Sequence, residues 1–231
     1  MDIGIIGSGR VAQTLAAKLL ELGNRVTISS RDTTREKDLG APGAVPSADA
    51  FAAAQRELGR EAAAGSFADA AAAGEVVINA TVGGHSLEAL AAAGARHLAG
   101  KILVDVANPL DFSRGMPPTL LFCNTKSLGE RIQAAFPEAR VVKSLNTTNA
   151  QVMVDPRQLN EPSAIFVAGN DQEAKDWVRG ELLERWFGWE QVLDLGDITA
   201  ARGLEMWMPL WLRLMGATGT AAFNLRIVAS T

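Results

Sequence analysis

The sequence feature that most constrains the fold is a strand, a glycine turn, a helix and a second strand within the first 30 residues. Residues 2–7 read D-I-G-I-I-G, a short apolar run that ends at a glycine. From Val11 to Leu22, apolar residues recur every three or four positions, which predicts a helix, and Gly23 follows where that helix would end. Residues 25–30, R-V-T-I-S-S, predict the second strand. Such a βαβ unit requires a parallel sheet.

The rest of the chain continues this alternation of strands and helices. The segments that predict further strands are residues 75–81, 101–108, 139–146, 164–169, 191–196 and 223–228. The segments that predict helices are residues 47–73, 86–98, 127–136, 171–187 and 203–216. The first of these helices is alanine-rich and is interrupted near Gly65, where a short strand is predicted at residues 62–66. We therefore predict a Rossmann-type α/β fold, doubly wound around a mainly parallel sheet, with a first domain at residues 1–150 and a small C-terminal α/β lobe at residues 151–231.

Composition excludes several classes of partner and of chemistry. The formal net charge is −4, so no basic excess predicts a nucleic-acid or membrane partner. The most apolar stretch, residues 204–215, is shorter than the roughly 20 residues that span a bilayer. Two histidines and one cysteine are too few for a zinc site of several such ligands, so we expect no metal, and the absence of tyrosine excludes a tyrosine acid.

The single cysteine, Cys123, cannot form an internal disulfide and predicts a reducing, cytoplasmic location. We expect no signal peptide, because the chain opens directly into a strand with no basic segment before it. Cys123 follows three apolar residues, so we expect it to be a small buried side chain.

The glycine turn matches the pattern G-x-G-x-x-G/A in the required context between a strand and a helix. Gly7 permits a tight turn, Gly9 lets a pyrophosphate approach the backbone, and Ala12 allows close packing of helix on strand. The N–H groups and the partial positive charge of the helix N-terminus favour phosphates. The pattern therefore predicts a dinucleotide site whose contacts are Gly7, Ser8, Gly9, Arg10 and Val11, with a purely structural turn as the alternative.

The end of the second strand selects the dinucleotide. Proteins that bind NAD usually place Asp or Glu there, whereas this chain has Ser30 and Arg31, followed by Asp32. A serine hydroxyl and an arginine guanidinium suit a 2′-phosphate, and Arg35 and Lys37 are near in sequence. We therefore predict NADP(H) as the cofactor, with surface loop charges as the alternative.

These residues, together with three later motifs, resemble the NADP oxidoreductase, coenzyme F420-dependent family. The later motifs are V-D-V-A-N-P at residues 104–109, V-V-K-S-L-N-T at 141–147 and D-L-G-D-I-T-A-A-R-G at 194–203. The resemblance covers nearly the whole chain. It implies an enzyme that transfers a hydride between NADP(H) and a deazaflavin, coenzyme F420, or a flavin-like acceptor. It also implies further cofactor contacts at Val82, His85, Asn108 and Ser144.

The sequence departs from this family at two loops. It has T-V-G-G-H at residues 81–85, where the family has a Thr-Ile-Pro-like segment before a histidine, and Asn146-Thr147 where the family tends to have His-Thr. We assign Asn146 and Thr147 to the substrate, together with Trp207 and Met208 from the Trp- and Met-rich segment. That segment, residues 206–215, is apolar around most of a helix, so we expect it to be buried in a core or in a homodimer interface. The C-terminal lobe then supplies the acceptor pocket, the dimer interface or both.

Two side chains have alternative roles. His85 either lies near the nicotinamide or begins a helix, and Lys143 either approaches the acceptor or is a paired lysine. We name no catalytic residue, because hydride transfer between two ring systems depends mainly on proximity and a dry pocket.

Two further functions stay open. One is an NADPH-dependent imine or 2-oxo acid reductase, although such enzymes append a helical domain on the order of 100 residues, and only about 60 residues follow Ala168 here. The other is a non-catalytic NADP-binding sensor or interaction module.

Overall fold

The computed structural model describes residues 1–35 and 45–229, so Lys37 lies outside the described residues. The chain divides into two compact units. Unit 1 contains Met1–Thr81, His85–Val104 and Phe136–Ala139, and unit 2 contains Val82–Gly84, Asp105–Ala135 and the chain from Arg140 onward. The chain passes from one unit to the other near residue 104 and again near residues 135–140. The division into a cofactor domain at residues 1–150 and an acceptor lobe at residues 151–231 stays a prediction.

Unit 1 is built on a parallel sheet. Its strands are β1 (Asp2–Ile6), β2 (Arg25–Ser29), β3 (Ala62–Gly65), β4 (Val76–Asn79) and β5 (Ile102–Asp105), of which the last residue begins a segment of unit 2. Their order is β3-β2-β1-β4-β5. β1 is parallel to both β2 and β4, and β2 is parallel to β3. The carboxyl ends of β1, β2 and β4 meet at one edge, because Ile6 lies opposite both Ser29 and Asn79.

Helices pack on this sheet through small and aliphatic side chains. They are α1 (Arg10–Glu21), α2 (Ala48–Glu57), α3 (Phe67–Ala73), α4 (Ser86–Ala93) and α5 (Ala95–Leu98). Alanines let α3 approach β1 so closely that a Cβ on Gly4 would lie 2.1 Å from the carbonyl oxygen of Ala70. The predicted short strand at residues 62–66 is confirmed as β3. The predicted helix at residues 86–98 is two helices, because Gly94 has a φ of +88° and ends α4.

Unit 2 combines antiparallel and parallel pairing. Its strands are β6 (Leu110–Asp111), β7 (Thr119–Leu120), β8 (Arg140–Ser144), β9 (Ala164–Gly169) and β10 (Gln191–Asp194). β6 and β7 form a small antiparallel pair, whereas β9 pairs antiparallel with β8 and parallel with β10. Its helices are α6 (Leu128–Ala135), α7 (Ala150–Val154), α8 (Gln172–Trp177) with a π-helical continuation over Val178–Phe187, α9 (Ala201–Met206) and α10 (Met208–Thr218). With unit 1, this arrangement confirms a Rossmann-type α/β fold with mainly parallel pairing.

One prediction for the C-terminal region is wrong, and the burial of a second segment, in a core or in a homodimer interface, stays a prediction. The described residues 223–228 form no strand: β9 already has a strand on each side, and Leu225 only accepts a hydrogen bond from the backbone N–H of Ala164. The apolar segment at residues 206–215 is only partly buried. Met208 and Trp211 are buried, whereas Met206 and Leu210 are 44% and 53% exposed on the single chain.

Cys123 also differs from expectation. It is exposed and carries a free thiol. Its loop follows β7 and continues into the exposed polar residues 124–126, so its chain neighbours lie at the surface rather than in a core.

Candidate functional site

The glycine turn of unit 1 lies at the sheet edge where β1, β2 and β4 end. Gly7 has a φ of +120°, and a Cβ there would lie 2.7 Å from the carbonyl oxygen of Ala80, so both backbone conformation and space require glycine. Its N–H donates to the carbonyl of Ser29 at 3.1 Å, which fixes the turn against the end of β2. A Cβ on Gly9, in contrast, would have no neighbour within 4 Å among the described residues. The predicted point of close approach is therefore open.

The helices of unit 1 differ at their N-termini, since α1, α4 and α5 have no side-chain cap among the described residues. α2 and α3 are capped by the side chains of Ser47 and Ser66, respectively. α1 has Gly9 as its N-cap residue and has no acidic residue in its first turn. The side-chain amide of Gln13 donates to the Ser8 carbonyl at 3.1 Å and thereby holds the turn in place. Free N–H groups and an uncompensated dipole at this end favour a bound anion.

Ser30 and Arg31 follow directly after β2, beside the glycine turn. The Ser30 hydroxyl donates to the Asp32 carbonyl at 2.9 Å, so the side chain closes the turn in this structure. The side chain of Arg31 is 70% exposed, and it lies 3.8 Å from Glu88, a surface pair of little strength. The structure thus brings Ser8, Gly9, Ser30 and Arg31 to one region, and Arg35 is exposed farther along the same loop.

Asp32 follows Arg31, and one of its carboxylate oxygens is engaged within its own turn. Its Oδ1 accepts hydrogen bonds from the backbone N–H and the hydroxyl of Thr34, at 3.0 and 2.7 Å. These hydrogen bonds from Thr34 hold the pKa of Asp32 below its ordinary value. The Oδ1 atom of Asp32 therefore stabilises the turn to which Asp32 itself belongs.

A polar cluster that the sequence analysis missed follows β4. Buried Asn79 donates to the Ser86 hydroxyl at 3.1 Å and accepts from the Thr81 hydroxyl at 2.8 Å, and the two hydroxyls are 2.7 Å apart. A polar residue directly after the buried run V-V-I was the available signal. His85 begins α4 with a side chain 62% exposed, and its Nδ1 is 3.6 Å from Glu88. The position at a helix start is confirmed, whereas a cofactor contact at His85 stays a prediction.

In unit 2, two asparagines join the segments after β5 and β8. The side chain of Asn108 donates to the Asn146 carbonyl at 2.8 Å, and the side chain of Asn146 donates to the Asn108 Oδ1 at 2.9 Å. The Asn146 amide also donates to the Leu204 carbonyl at 3.1 Å. Gly83 packs against Asn108, since a Cβ on Gly83 would lie 2.1 Å from the Asn108 carbonyl oxygen. Val82, next to it, is 58% exposed.

The turn after β8 has a strained backbone, and its residues are almost completely buried. Buried Leu145 has a φ of +62°, in the region that costs a branched side chain energy and that recurs at functional sites. Asn146 and Thr147 are 1% and 2% exposed, and the Asn146 Oδ1 and Thr147 Oγ1 have no hydrogen-bond partner among the described residues. The half-buried Trp207 donates its indole N–H to the Thr147 carbonyl at 2.9 Å. Of these residues, Trp207 presents the most surface to a ligand.

Ser144 and Met208 are less accessible than predicted site residues would be. Ser144 is completely buried, and its hydroxyl donates to the Phe166 carbonyl at 2.7 Å. Met208 is 7% exposed. Their assignments to the cofactor and to the substrate stay predictions.

Lys143 is a paired lysine, as one of the two alternatives expected. It is completely buried, and its Nζ lies 2.8 Å from Asp105 and 2.9 Å from Glu205. Burial by itself lowers the pKa of Lys143, but the two carboxylates raise the pKa above its ordinary value. Burial raises the pKa of Glu205 in turn, although Lys143 opposes that shift.

No group of three or more His, Cys, Asp or Glu side chains within residues 1–35 and 45–229 is arranged to hold a metal ion. In the same part of the chain, no helix combines the length and apolar character needed to cross a membrane.

Comparison with known proteins adds a family to this geometry. Residues 2–109 match the family described as NADP oxidoreductase, coenzyme F420-dependent. Over 99% of its length, the chain superposes with a TM-score of 0.89 and 50% identity on the whole of a protein from Arthrobacter sp. FB24 described as a candidate F420-dependent NADP reductase.

Two more distant relatives share part of their length with this chain. Metalloreductase STEAP3 of Rattus norvegicus is 31% identical over 206 residues, which are 88% of this chain, and the chain spans only 35% of that protein. A reductive aminase from Aspergillus terreus, solved with NADPH and ethyl levulinate, has a TM-score of 0.63 at 19% identity, covering 94% of this chain and 62% of its own. The second likeness shows the fold alone.

Proposed function

Because the chain belongs to the NADP oxidoreductase, coenzyme F420-dependent family, a family of NADP-dependent oxidoreductases, we propose that it transfers a hydride between NADP(H) and a deazaflavin or flavin-like acceptor. The observation that carries the proposal is the uncapped N-terminus of α1 beside Ser30 and Arg31 in unit 1. When bound, NADPH supplies the hydride. The residues of the chain bind it, orient it and exclude water.

NADP(H) fits this site better than NAD(H). Gly7, Ser8, Gly9, Arg10 and Val11 surround the open N-terminus of α1, which suits a pyrophosphate. At the end of β2, an exposed guanidinium suits a 2′-phosphate, and the Ser30 hydroxyl would add a second donor if it exchanged the Asp32 carbonyl for the phosphate. The carboxylate that would instead suit a 2′-hydroxyl, Asp32, has one oxygen, Oδ1, engaged by Thr34.

The acceptor is proposed to be coenzyme F420 or a related flavin-like ring that contacts unit 2. Support comes from the description of the Arthrobacter relative and from the aromatic ring of Trp207, half-buried and fixed by its indole hydrogen bond. A flat ring system stacks favourably on such a surface. Asn146 and Thr147 in the adjoining turn each have a polar atom without a hydrogen-bond partner among residues 1–35 and 45–229, although both residues are buried in the single chain.

An acceptor panel tests this function. NADPH and NADH are each offered with coenzyme F420, FMN, a ferric chelate and a cyclic imine, and oxidation is followed by absorbance. We expect turnover with NADPH and a deazaflavin or flavin. Turnover with the imine alone would identify an imine reductase, and tight NADPH binding with no turnover would favour a sensor.

The 2′-phosphate assignment has its own variant. Replacing Arg31 with Ala removes a charge-assisted hydrogen bond, so NADPH binding weakens by about 10- to 100-fold, whereas NADH binding is unchanged. Arg213→Ala, at an exposed arginine of unit 2, is the matched control. Equal NADPH affinity for Arg31→Ala and the parent chain would contradict the assignment.

Two further expectations belong to the same proposal. The exposed apolar side chains of Met206 and Leu210 support a homodimer, which light scattering at micromolar protein would detect or exclude. The cytoplasmic location is proposed from the single free cysteine.

A further inference from the structure

Lys143 uses all three of its ammonium hydrogens in the interior of unit 2. It donates to Asp105 at 2.8 Å, is paired with Glu205 at 2.9 Å, and donates to the Ala107 carbonyl. Glu205 is held from its other side, where it accepts the backbone N–H groups of Leu128 and Gly129 at the start of α6. The function proposed above does not use any of these charges.

These charges join the same chain segments that the asparagine pair joins. Lys143 ties β8 to residues 105–107, and Asn146 ties the turn after β8 to Asn108. Lys143 also ties β8 to Glu205, while Asn146 holds the neighbouring Leu204 carbonyl. Each segment is therefore fixed twice, once by charge and once by an amide.

The segment that contains Leu204 and Glu205 leads directly to Trp207. Glu205 and Leu204 belong to the last turn of α9, and the indole N–H of the following Trp207 donates to the Thr147 carbonyl. The ring is thus seated by the strained turn and by the helix that Lys143 anchors. A φ of +62° at Leu145 persists only where the surroundings over-determine the backbone, which this double anchorage does.

We propose that Lys143 is a positioning residue, which acts through Glu205 and the Asn146 turn to hold the Trp207 indole where the acceptor ring stacks. The proposal rests on the proposed function in one respect, the assignment of Trp207 to the acceptor. Lys143 itself is completely buried, so it acts through the groups it pairs with.

The test uses a charge-balanced double variant, Lys143→Met/Asp105→Asn. It removes one positive and one negative charge, and it leaves Glu205 with its two backbone N–H partners. The matched control is Lys175→Met/Asp194→Asn, which removes another buried lysine of unit 2, one that is paired with a carboxylate at 2.9 Å and with the Gly196 carbonyl. No hydrogen bond described for that pair involves the Asn146 turn.

The first measurement requires no turnover. The full chain is labelled with 5-fluorotryptophan, and the resonance of Trp207 is assigned from its loss in Trp207→Phe. We expect this resonance to shift and broaden in the Lys143 double variant and to stay in place in the Lys175 control. An unchanged resonance in a folded Lys143 variant would overturn the proposal.

The second measurement separates acceptor from cofactor. With coenzyme F420, kcat/KM falls by about 10- to 100-fold, as expected for a displaced contact, while the Kd for NADPH is unchanged. Trp207→Phe lowers kcat/KM similarly, and combining it with the Lys143 double variant adds little, because both act on one ring. Additive losses, or a parallel loss of NADPH binding, would overturn the positioning role. If the parent chain fails to turn over any flavin or deazaflavin, the proposed function fails, and the fluorine spectrum still decides the role of Lys143.

Discussion

Polar groups are arranged in opposite ways at the glycine turn of unit 1 and at the charged junction around Lys143 in unit 2. At the turn, the N-terminus of α1 has no side-chain cap among the described residues, and Arg31 is largely exposed. At the junction, Lys143 and Glu205 are buried, and the partners of each come from the chain itself. We infer that the polar groups of the glycine turn are available to a ligand, whereas those of the junction around Lys143 hold the backbone in place.

The largest effect should come from breaking the junction. Lys143→Met leaves the carboxylates of Asp105 and Glu205 buried without their cation, so the free energy of unfolding should fall by about 3–5 kcal/mol. Lys175→Met should cost less, about 1–2 kcal/mol, because the side chain of its partner Asp194 is 28% exposed and gains water. Urea denaturation followed by tryptophan fluorescence measures both. Equal losses would contradict the contrast.

The next effect concerns the glycine turn. Gly7→Ala places a Cβ 2.7 Å from the Ala80 carbonyl oxygen at a φ of +120°, so we expect a loss of about 3 kcal/mol in stability. NADPH binding should weaken as well, because the turn must move. Gly23→Ala, at the other end of α1, has a φ of +81°, but its Cβ would have no neighbour within 4 Å in the described part of the chain, so it should cost only about 1 kcal/mol. A Gly7 variant no worse than the Gly23 variant would remove the steric requirement.

The smallest expected effect concerns the pair of Arg202 and Glu130, at the edge of the junction around Lys143. Arg202 on α9 donates to Glu130 on α6, and this hydrogen bond lowers the pKa of Glu130 below its ordinary 4.5, although burial opposes the shift. Because the folded-state pKa is the lower one, the contribution of Glu130 to stability is full above about pH 4.5 and is lost as the pH falls through the folded value.

Acid denaturation of Glu130→Gln checks this sign. The variant should be less stable than the parent at neutral pH, and the difference should shrink below the ordinary pKa of Glu130. Glu173→Gln, at a side chain that is 91% exposed, is the control and should change little. A difference that stays constant down to pH 3 would contradict the assignment.

Local patterns predicted unit 1 well because their causes are local. The spacing of apolar residues produced α1, the β-branched run produced β2, and the positive φ of Gly7 is a property of the turn itself. The polar cluster of Asn79, Thr81 and Ser86 was missed, although it too follows a strand end.

Long-range contacts explain where sequence reasoning left alternatives or failed. Whether Lys143 approached the acceptor or paired with a carboxylate depended on Asp105, 38 residues away in sequence. Cys123 was expected inside and lies outside, because its apolar neighbours belong to a surface loop. Residues 223–228 have the composition of a strand, but the strand they meet is already paired on both sides.

The sequence by itself determined the βαβ start, the glycine turn and the family resemblance, because periodicity, backbone freedom and motif order are written in consecutive residues. Only the tertiary structure decided that Lys143 is neutralised by two carboxylates, that Leu145 is held in a strained conformation, and that Asp32 accepts hydrogen bonds from Thr34. The physical reason is that burial and pairing are properties of groups brought together from distant segments. A charge has no fixed role until its neighbours and its distance from water are known.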